Sequence, residues 1–203
     1  MKPYAESCDQ NADPIFAVIA PLLQKHHSLL EIGSGTGQHA VNFAARLPHL
    51  TWQTSDLPEN HAGIRLWLEE ANLPNILPPI ALDTRSESWP GIAADSVFSA
   101  NTAHIMHWQD VQGMFRGIGR LLPPGGLFLL YGPFNYQGQY TSASNERFDQ
   151  WLQQRDPLSG IRNFEDLDKL ATKAGMQLQN DYAMPANNRI LCWKRLPTTS
   201  SSG

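Results

Sequence analysis

The order of apolar runs constrains this chain more than any single motif in it. Short apolar segments alternate with segments of helical spacing between residues 28 and 131. Ser28–Ile32, residues 50–55, residues 76–82, Ser96–Ala100 and residues 127–131 read as strands. Between them, residues 38–47 read as a helix. So does the stretch that Pro58 opens, with Ile64, Trp67, Leu68 and Ala71 on one face. Val111, Met114, Phe115, Ile118, Leu121 and Leu122 mark another. Strands alternating with helices predict a parallel sheet covered on both faces. Pro78-Pro79 in the third strand suits a sheet edge, where the missing N–H groups break no ladder. Ahead of this run, Asp13-Pro14 reads as an N-cap and first turn. Ile15, Phe16, Val18, Ile19, Leu22 and Leu23 form the stripe of the helix that follows.

The last third changes character. Residues 132–144 read as a polar, aromatic, glycine-containing loop, and helices are predicted over residues 145–155 and 164–174, the second with Asn163 as N-cap. Met176–Ala183 and Arg189–Arg195 read as strands with only five residues, Met184-Pro185-Ala186-Asn187-Asn188, between them. That is too short for a parallel crossover, so an antiparallel hairpin is expected. No repeat or linker divides the chain. Residues 1–197 are expected to form one domain and the small polar residues 198–203 a disordered tail.

The first strand ends in a turn with chemical meaning. In Leu30-Glu31-Ile32-Gly33-Ser34-Gly35-Thr36-Gly37-Gln38-His39 the glycine spacing is G-x-G-x-G. Such glycines permit unusual φ angles and let backbone approach a ligand closely. The dinucleotide fingerprint asks for its third glycine where Gln38 stands, and no Lys-Ser or Lys-Thr follows to make a P-loop. Taken alone, the turn would also serve as a tight connection between strand and helix. Asp56, however, ends the second strand 19 residues after Gly37, where a carboxylate can accept both hydroxyls of a ribose. Asp83 ends the third strand, where a carboxylate could take the amino group of an adenine. Either aspartate would also serve as a strand-end cap. Features at the ends of successive strands line one edge of the sheet, where open α/β folds bind their ligands.

Glu31 to Gly37, Asp56, Asp83, the Leu121-Leu122-Pro123-Pro124-Gly125-Gly126 turn and the closing hairpin together resemble class I S-adenosylmethionine-dependent methyltransferases. The resemblance implies a Rossmann-like, doubly wound α/β fold with a seven-stranded, mostly parallel sheet and a C-terminal antiparallel hairpin. It also implies S-adenosyl-L-methionine as cofactor, held by Glu31, Gly33, Ser34, Gly35, Gly37, Asp56, Leu57, Asp83, Thr84 and Asn101. A narrower resemblance, to an uncharacterised methyltransferase-like family shared by bacteria and animals, covers almost the whole chain. It rests on Asn11-Ala12-Asp13-Pro14-Ile15, Trp52-Gln53-Thr54-Ser55-Asp56, Asn101-Thr102-Ala103-His104, Tyr131-Gly132-Pro133-Phe134 and Met184-Pro185-Ala186-Asn187-Asn188. Gln10 and Asn163 depart from it, standing where arginine and aspartate are expected.

Methyl transfer asks the protein for alignment and exclusion of water more than for an elaborate catalytic constellation. His104, with a reference pKa of about 6.5, is the candidate base; it would equally hydrogen-bond its own loop or face water. His39, His61, His104 and His107 show no recognisable metal-ligand spacing. Residues 132–144 are expected to form a substrate lid, with Phe134, Tyr136 and Tyr140 as apolar surface. Asn145 would align the substrate, and Asn11, Asn187 and Asn188 would close the space around it. A lining of amides and aromatics suits a small polar or aromatic metabolite.

Charge narrows the partners further. Lys plus Arg is 15 and Asp plus Glu is 19, a net charge of −4, which is no bulk electrostatic footprint for nucleic acid. The fourth strand also lacks the Asn/Asp-Pro-Pro-aromatic ending expected of amino-methylating nucleic-acid enzymes, so a DNA target is not expected. No apolar run is long enough to span a bilayer, and the first residues lack the core of a signal peptide, so no membrane partner and a cytoplasmic location are expected. Two cysteines make no disulfide framework. The leading expectation is an S-adenosylmethionine-dependent methyltransferase acting on a small molecule, of open oligomeric state. The alternatives are a non-catalytic protein that binds the same cofactor, or an NAD-dependent oxidoreductase; the displaced glycine and the closing hairpin argue against the latter.

Overall fold

The computed structural model describes residues 2–197. The expected tail at 198–203 lies outside them. In chain order the elements are α1 (Glu6–Leu23), β1 (Ser28–Ile32), α2 (Gln38–Arg46), β2 (Thr51–Asp56), α3 (His61–Ala71), β3 (Ile76–Ala81), β4 (Ser96–Ala100) and α4 (Trp108–Leu121). Then follow β5 (Leu127–Gly132), β6 (Phe134–Asn135), α5 (Ala143–Arg155), β7 (Arg162–Asn163), α6 (Phe164–Lys173), β8 (Met176–Ala183) and β9 (Arg189–Arg195). Seven strands form one sheet in the order β3-β2-β1-β4-β5-β9-β8. The five on the β3 side run parallel, and β9 lies antiparallel between β5 and β8. The fold is therefore α/β with a mostly parallel seven-stranded sheet and the expected closing hairpin. Strand order reverses between β1 and β4, and the crevice at their C-terminal ends is where such sheets bind ligands.

Side-chain alternation along each strand divides the core into two layers. Phe98, Leu129 and Tyr131 face one way and pack with Ile15 and Ile19 of α1 and Phe43 of α2. Val97, Phe128 and Leu130 face the other way and pack with Phe115 and Ile118 of α4 and Leu167 of α6. Because both faces are covered, β1, β4 and β5 read as nearly unbroken apolar runs. β3 is the edge strand that Pro78-Pro79 required. No helix among the described residues is long and apolar enough to cross a membrane.

Three expectations are corrected. α1 begins at Glu6 and not at Asp13, so Pro14 sits inside the helix. The first turns are held by tertiary contacts that no local pattern shows: Ala5 N–H donates to Gln38 Oε1 at 2.7 Å, and Gln38 Nε2 donates to Asp9 Oδ1 at 3.0 Å. Glu6 and Asp9 also place negative charge at the positive end of the helix dipole. Pro58 opens only a short 3₁₀ turn, Pro58–Asn60, before α3 starts at His61. Residues 132–144 are not a free lid, because β6 within them pairs in parallel with β7, Phe134 opposite Arg162 and Asn135 opposite Asn163.

Candidate functional site

The glycine turn after β1 is fixed from below before it meets any ligand. Ser34 Oγ donates to Glu31 Oε2 at 2.8 Å, Trp52 Nε1 donates to the same oxygen at 3.2 Å, and Ser55 N–H donates to Ser34 Oγ at 3.1 Å. Glu31 is buried, and burial pushes its carboxyl up to about 7 in spite of those two donors. Above this support the backbone turns through Gly33 at φ +73 and Gly35 at φ +58, angles that side chains resist. A Cβ on Gly33 would lie 2.5 Å from Thr102 Cγ2, whereas one on Gly35 would meet no protein atom within 4 Å. Gly35 thus presents bare backbone to open space.

That space is a cavity of about 550 Å³ over the C-terminal ends of β1, β2, β3 and β4. Gly33, Ser34, Gly35, Asp56, Leu57, Asp83, Thr84 and Asn101 all line it. Asp56 is already engaged: Oδ2 accepts from Gly35 N–H at 2.7 Å, and Oδ1 from Leu57 N–H at 2.7 Å and Asn60 Nδ2 at 2.8 Å. A carboxylate offers about four acceptor positions, so one remains beyond these three donors. Asp83 is held by Arg85, which sequence reading did not single out. Arg85 Nη2 donates to Asp83 Oδ2 at 2.7 Å, and that guanidinium keeps the Asp83 carboxyl below its ordinary range. Two residues expected on the cofactor do not line the cavity. Glu31 points back under the turn, and Gly37 caps α2 and packs against Ile64 of α3, whose Cα would lie 3.4 Å from a Cβ there.

A second cavity, of about 420 Å³, opens beside the first. Asn11 and Gln10 of α1, Tyr131 of β5, Asn145 and Phe148 of α5 and Asn188 of the hairpin line it. Asn101 lines both cavities. It ends the β4 segment in the left-handed region, at φ +56, which an asparagine tolerates better than most side chains. Asn145 Nδ2 donates to Thr141 Oγ1 at 2.9 Å and to the Asn187 carbonyl at 3.3 Å, tying α5 to the hairpin turn. The second cavity has no charged side chain in its lining.

Other expected site residues lie elsewhere. His104 is buried behind the cavity wall, edge-on to Phe148 with ring centroids 5.3 Å apart. Burial and the nearby Arg162 push it down to about 4, so it stays neutral and is a weak base near neutrality. Phe134 is 1% exposed and belongs to the core layer with Leu130 and Leu191. Tyr136 stacks on Phe164 and donates to Asp181 Oδ2 at 2.7 Å, away from both cavities. Asn187 contributes its backbone carbonyl to Asn145, while its side chain stays outside the lining. What sequence reading missed, beyond Arg85, is Tyr131. It hides inside a strand whose apolar run reads as core.

This fold is shared with solved methyltransferases of low sequence identity. An O-methyltransferase family protein from Burkholderia thailandensis superposes with a TM-score of 0.78 at 16% identity over 94% of this chain and 58% of its own. Mitomycin 7-O-methyltransferase MmcR gives 0.81 at 19% over 93% and 54%. Human N-acetylserotonin methyltransferase, solved with SAM, gives 0.77 at 17% over 95% and 53%. The chain spans little more than half the length of these neighbours, and what they share with it is the fold. At the level of sequence, a family model described as "Protein of unknown function (DUF938)" matches residues 2–195, and the chain belongs to that family.

Proposed function

We propose that this protein binds S-adenosyl-L-methionine and transfers its methyl group to a small polar or aromatic molecule. The observation that carries the reading is the pair of cavities that meet at Asn101, one framed by the glycine turn and strand-end aspartates, the other by uncharged amides. The first fits the cofactor on this chain's own terms. Gly35 leaves open the space a Cβ would fill, Asp56 keeps an acceptor position, and Asp83 and Thr84 follow the end of β3. Gly33, Ser34 and Gly35 would hold the amino-acid end, Asp56 and Leu57 the ribose, and Asp83 and Thr84 the adenine once Arg85 releases a carboxylate oxygen. When bound, the cofactor supplies an activated sulfonium methyl.

The remaining work falls to alignment. Asn101 stands where the two cavities join, and Asn145, held by Thr141 and the Asn187 carbonyl, fixes one wall of the second. The neighbours support this reading, since one was solved with SAM, another with SAH and a third with apigenin. With no charged group in its lining, the second cavity favours a small molecule over a polyanion such as DNA. Calorimetry with S-adenosylmethionine, S-adenosylhomocysteine and NAD tests the cofactor, and transfer of labelled methyl into metabolite, RNA and protein fractions tests the substrate. Binding of both sulfur compounds, with label in the metabolite fraction, is expected. Tighter binding of NAD, or label entering RNA or protein, would overturn the proposal.

A further inference from the structure

A polar chain runs from the wall of the first cavity to the second, and its position in the core leaves it unexplained. It starts at His39 of α2, which is buried and whose ring stacks on Phe43 with centroids 5.3 Å apart and planes within 8°. His39 Nε2 lies 2.6 Å from Asn11 Oδ1. That contact ties α2 to an α1 residue that lines the second cavity. Asn11 and Asn188 both line the cavity beside Tyr131 and are the side chains that pull its phenol down. Asn188 comes from the hairpin, where its Nδ2 donates to the Pro185 carbonyl at 3.3 Å and Met184 N–H holds its backbone oxygen at 2.9 Å.

Tyr131 itself is 3% exposed, and Asn11, Tyr131 and Asn188 all face the cavity. Burial lifts its phenol above the ordinary value against the pull of the two amides, so the group is an O–H and not a phenolate at neutral pH. A phenolic oxygen has two acceptor positions and one proton. Tyr131 lines the cavity together with Asn11 and Asn188, so its hydroxyl proton is available to whatever occupies that space.

We propose that Tyr131, flanked by Asn11 and Asn188, is a specificity-determining hydrogen-bond donor, and that the second cavity selects an uncharged ring compound bearing a carbonyl-type acceptor. The proposal rests on reading that cavity as the substrate site. Amides and hydroxyls in the lining have donors and acceptors for a neutral polar group. Neither a carboxylate nor an ammonium finds a counter-ion there, and a buried charge without a partner is strongly disfavoured. Phe148, Pro14 and Pro133 supply the flat apolar walls that suit a ring.

Four probes of one size separate these features: benzamide, benzoate, benzylamine and toluene, each titrated by ligand-observed NMR into the protein saturated with S-adenosylhomocysteine. Benzamide is expected to bind at least tenfold tighter than benzoate, benzylamine or toluene. Tyr131→Phe keeps the ring in the core and removes only the donor. It should weaken benzamide about tenfold, the worth of one neutral hydrogen bond, and leave toluene unchanged. A loss of packing would move both probes together, so the benzamide-to-toluene ratio reads the hydroxyl alone. Equal binding of the charged probes, an unchanged ratio in Tyr131→Phe, or no binding of any probe to the cofactor-loaded protein would overturn the inference. Failure of S-adenosylhomocysteine to bind would instead strike the proposed function.

Discussion

The two cavities differ in how they are made. The larger is framed by consecutive strand ends and the turns that follow them, each written in a few adjacent residues: Gly33 to Thr36 after β1, Asp56-Leu57 after β2, Asp83-Thr84 after β3 and Asn101-Thr102 after β4. The smaller gathers residues from α1, β5, α5 and the hairpin, elements far apart in the chain, with Asn145 Nδ2 tied to the Asn187 carbonyl. The first is carried by backbone geometry and carboxylates, the second by neutral amides. A general site for an invariant ligand can be built from local turns. A selective site needs parts that vary independently, and here each part sits on a different element.

That contrast breaks most sharply at Gly35. Gly35→Val faces open space, so the fold should survive apart from the strain of φ +58. Affinity for S-adenosylhomocysteine should fall at least about 100-fold, or roughly 2.8 kcal/mol. Calorimetry on material whose circular dichroism matches the parent decides, and unchanged affinity would remove the turn from the binding site. Asp56→Ala comes next. It frees three donors, two of them backbone N–H groups, and should cost roughly 1.5–3 kcal/mol of cofactor binding, the range for hydrogen bonds to a charged group. If stability collapses while the folded fraction binds normally, Asp56 is a strand-end cap and nothing more.

The two regions should also answer pH with opposite signs. Glu31 under the glycine turn is pushed up to about 7 by burial, from 4.5. Its contribution to stability is complete below pH 4.5 and is lost as pH rises through 7. His104 behind the second cavity is pushed down to about 4, from 6.5. Its contribution is complete above pH 6.5 and is lost as pH falls through 4. Denaturant titrations across pH 4 to 8 should therefore show Glu31→Gln gaining on the parent only towards neutrality. His104→Phe should gain only in acid, each by up to about 3 kcal/mol. Parallel curves for parent and variants would show that neither buried group titrates in these windows. The smallest effect belongs to Asn145→Ala. Methyl transfer should fall about tenfold, close to 1.4 kcal/mol, with affinity for S-adenosylhomocysteine within about twofold, because the lost contact acts on alignment. An equal loss in both measurements would merge the two cavities into one site.

The same contrast explains what the sequence showed. The alternation of strands and helices, the edge position of Pro78-Pro79 and the hairpin were legible because period, proline chemistry and connection length act locally. The glycine turn and both aspartates were legible for the same reason. The start of α1 was not, because Gln38, some 30 residues on, decides it against Pro14. Phe134 and Tyr136 looked like lid residues because their loop is polar, yet pairing of β6 with β7 draws Phe134 into the core. Tyr131 gave the opposite error: it sits in a core strand, and only its neighbours Asn11 and Asn188, far apart in the chain, reveal the hydroxyl as part of a cavity.

The place of β9 between β5 and β8 has a consequence for how the protein comes into being. Synthesis delivers the five parallel strands first, and they can assemble as soon as α4 and β5 clear the ribosome. The growing sheet then ends in β5, Leu127–Gly132, a strand buried along its whole length in the finished molecule. Until residues 189–195 arrive, its apolar edge stays unpaired, the kind of edge that captures other chains. β8 and β9 pair with each other through a short turn, so the hairpin can form by itself and dock as a unit. Docking of that hairpin is thus the step at which a nascent chain stops being prone to self-association. Variants that slow it, in the turn at Pro185–Asn187, would appear first as lower yield and aggregation in cells, ahead of any change in the purified protein.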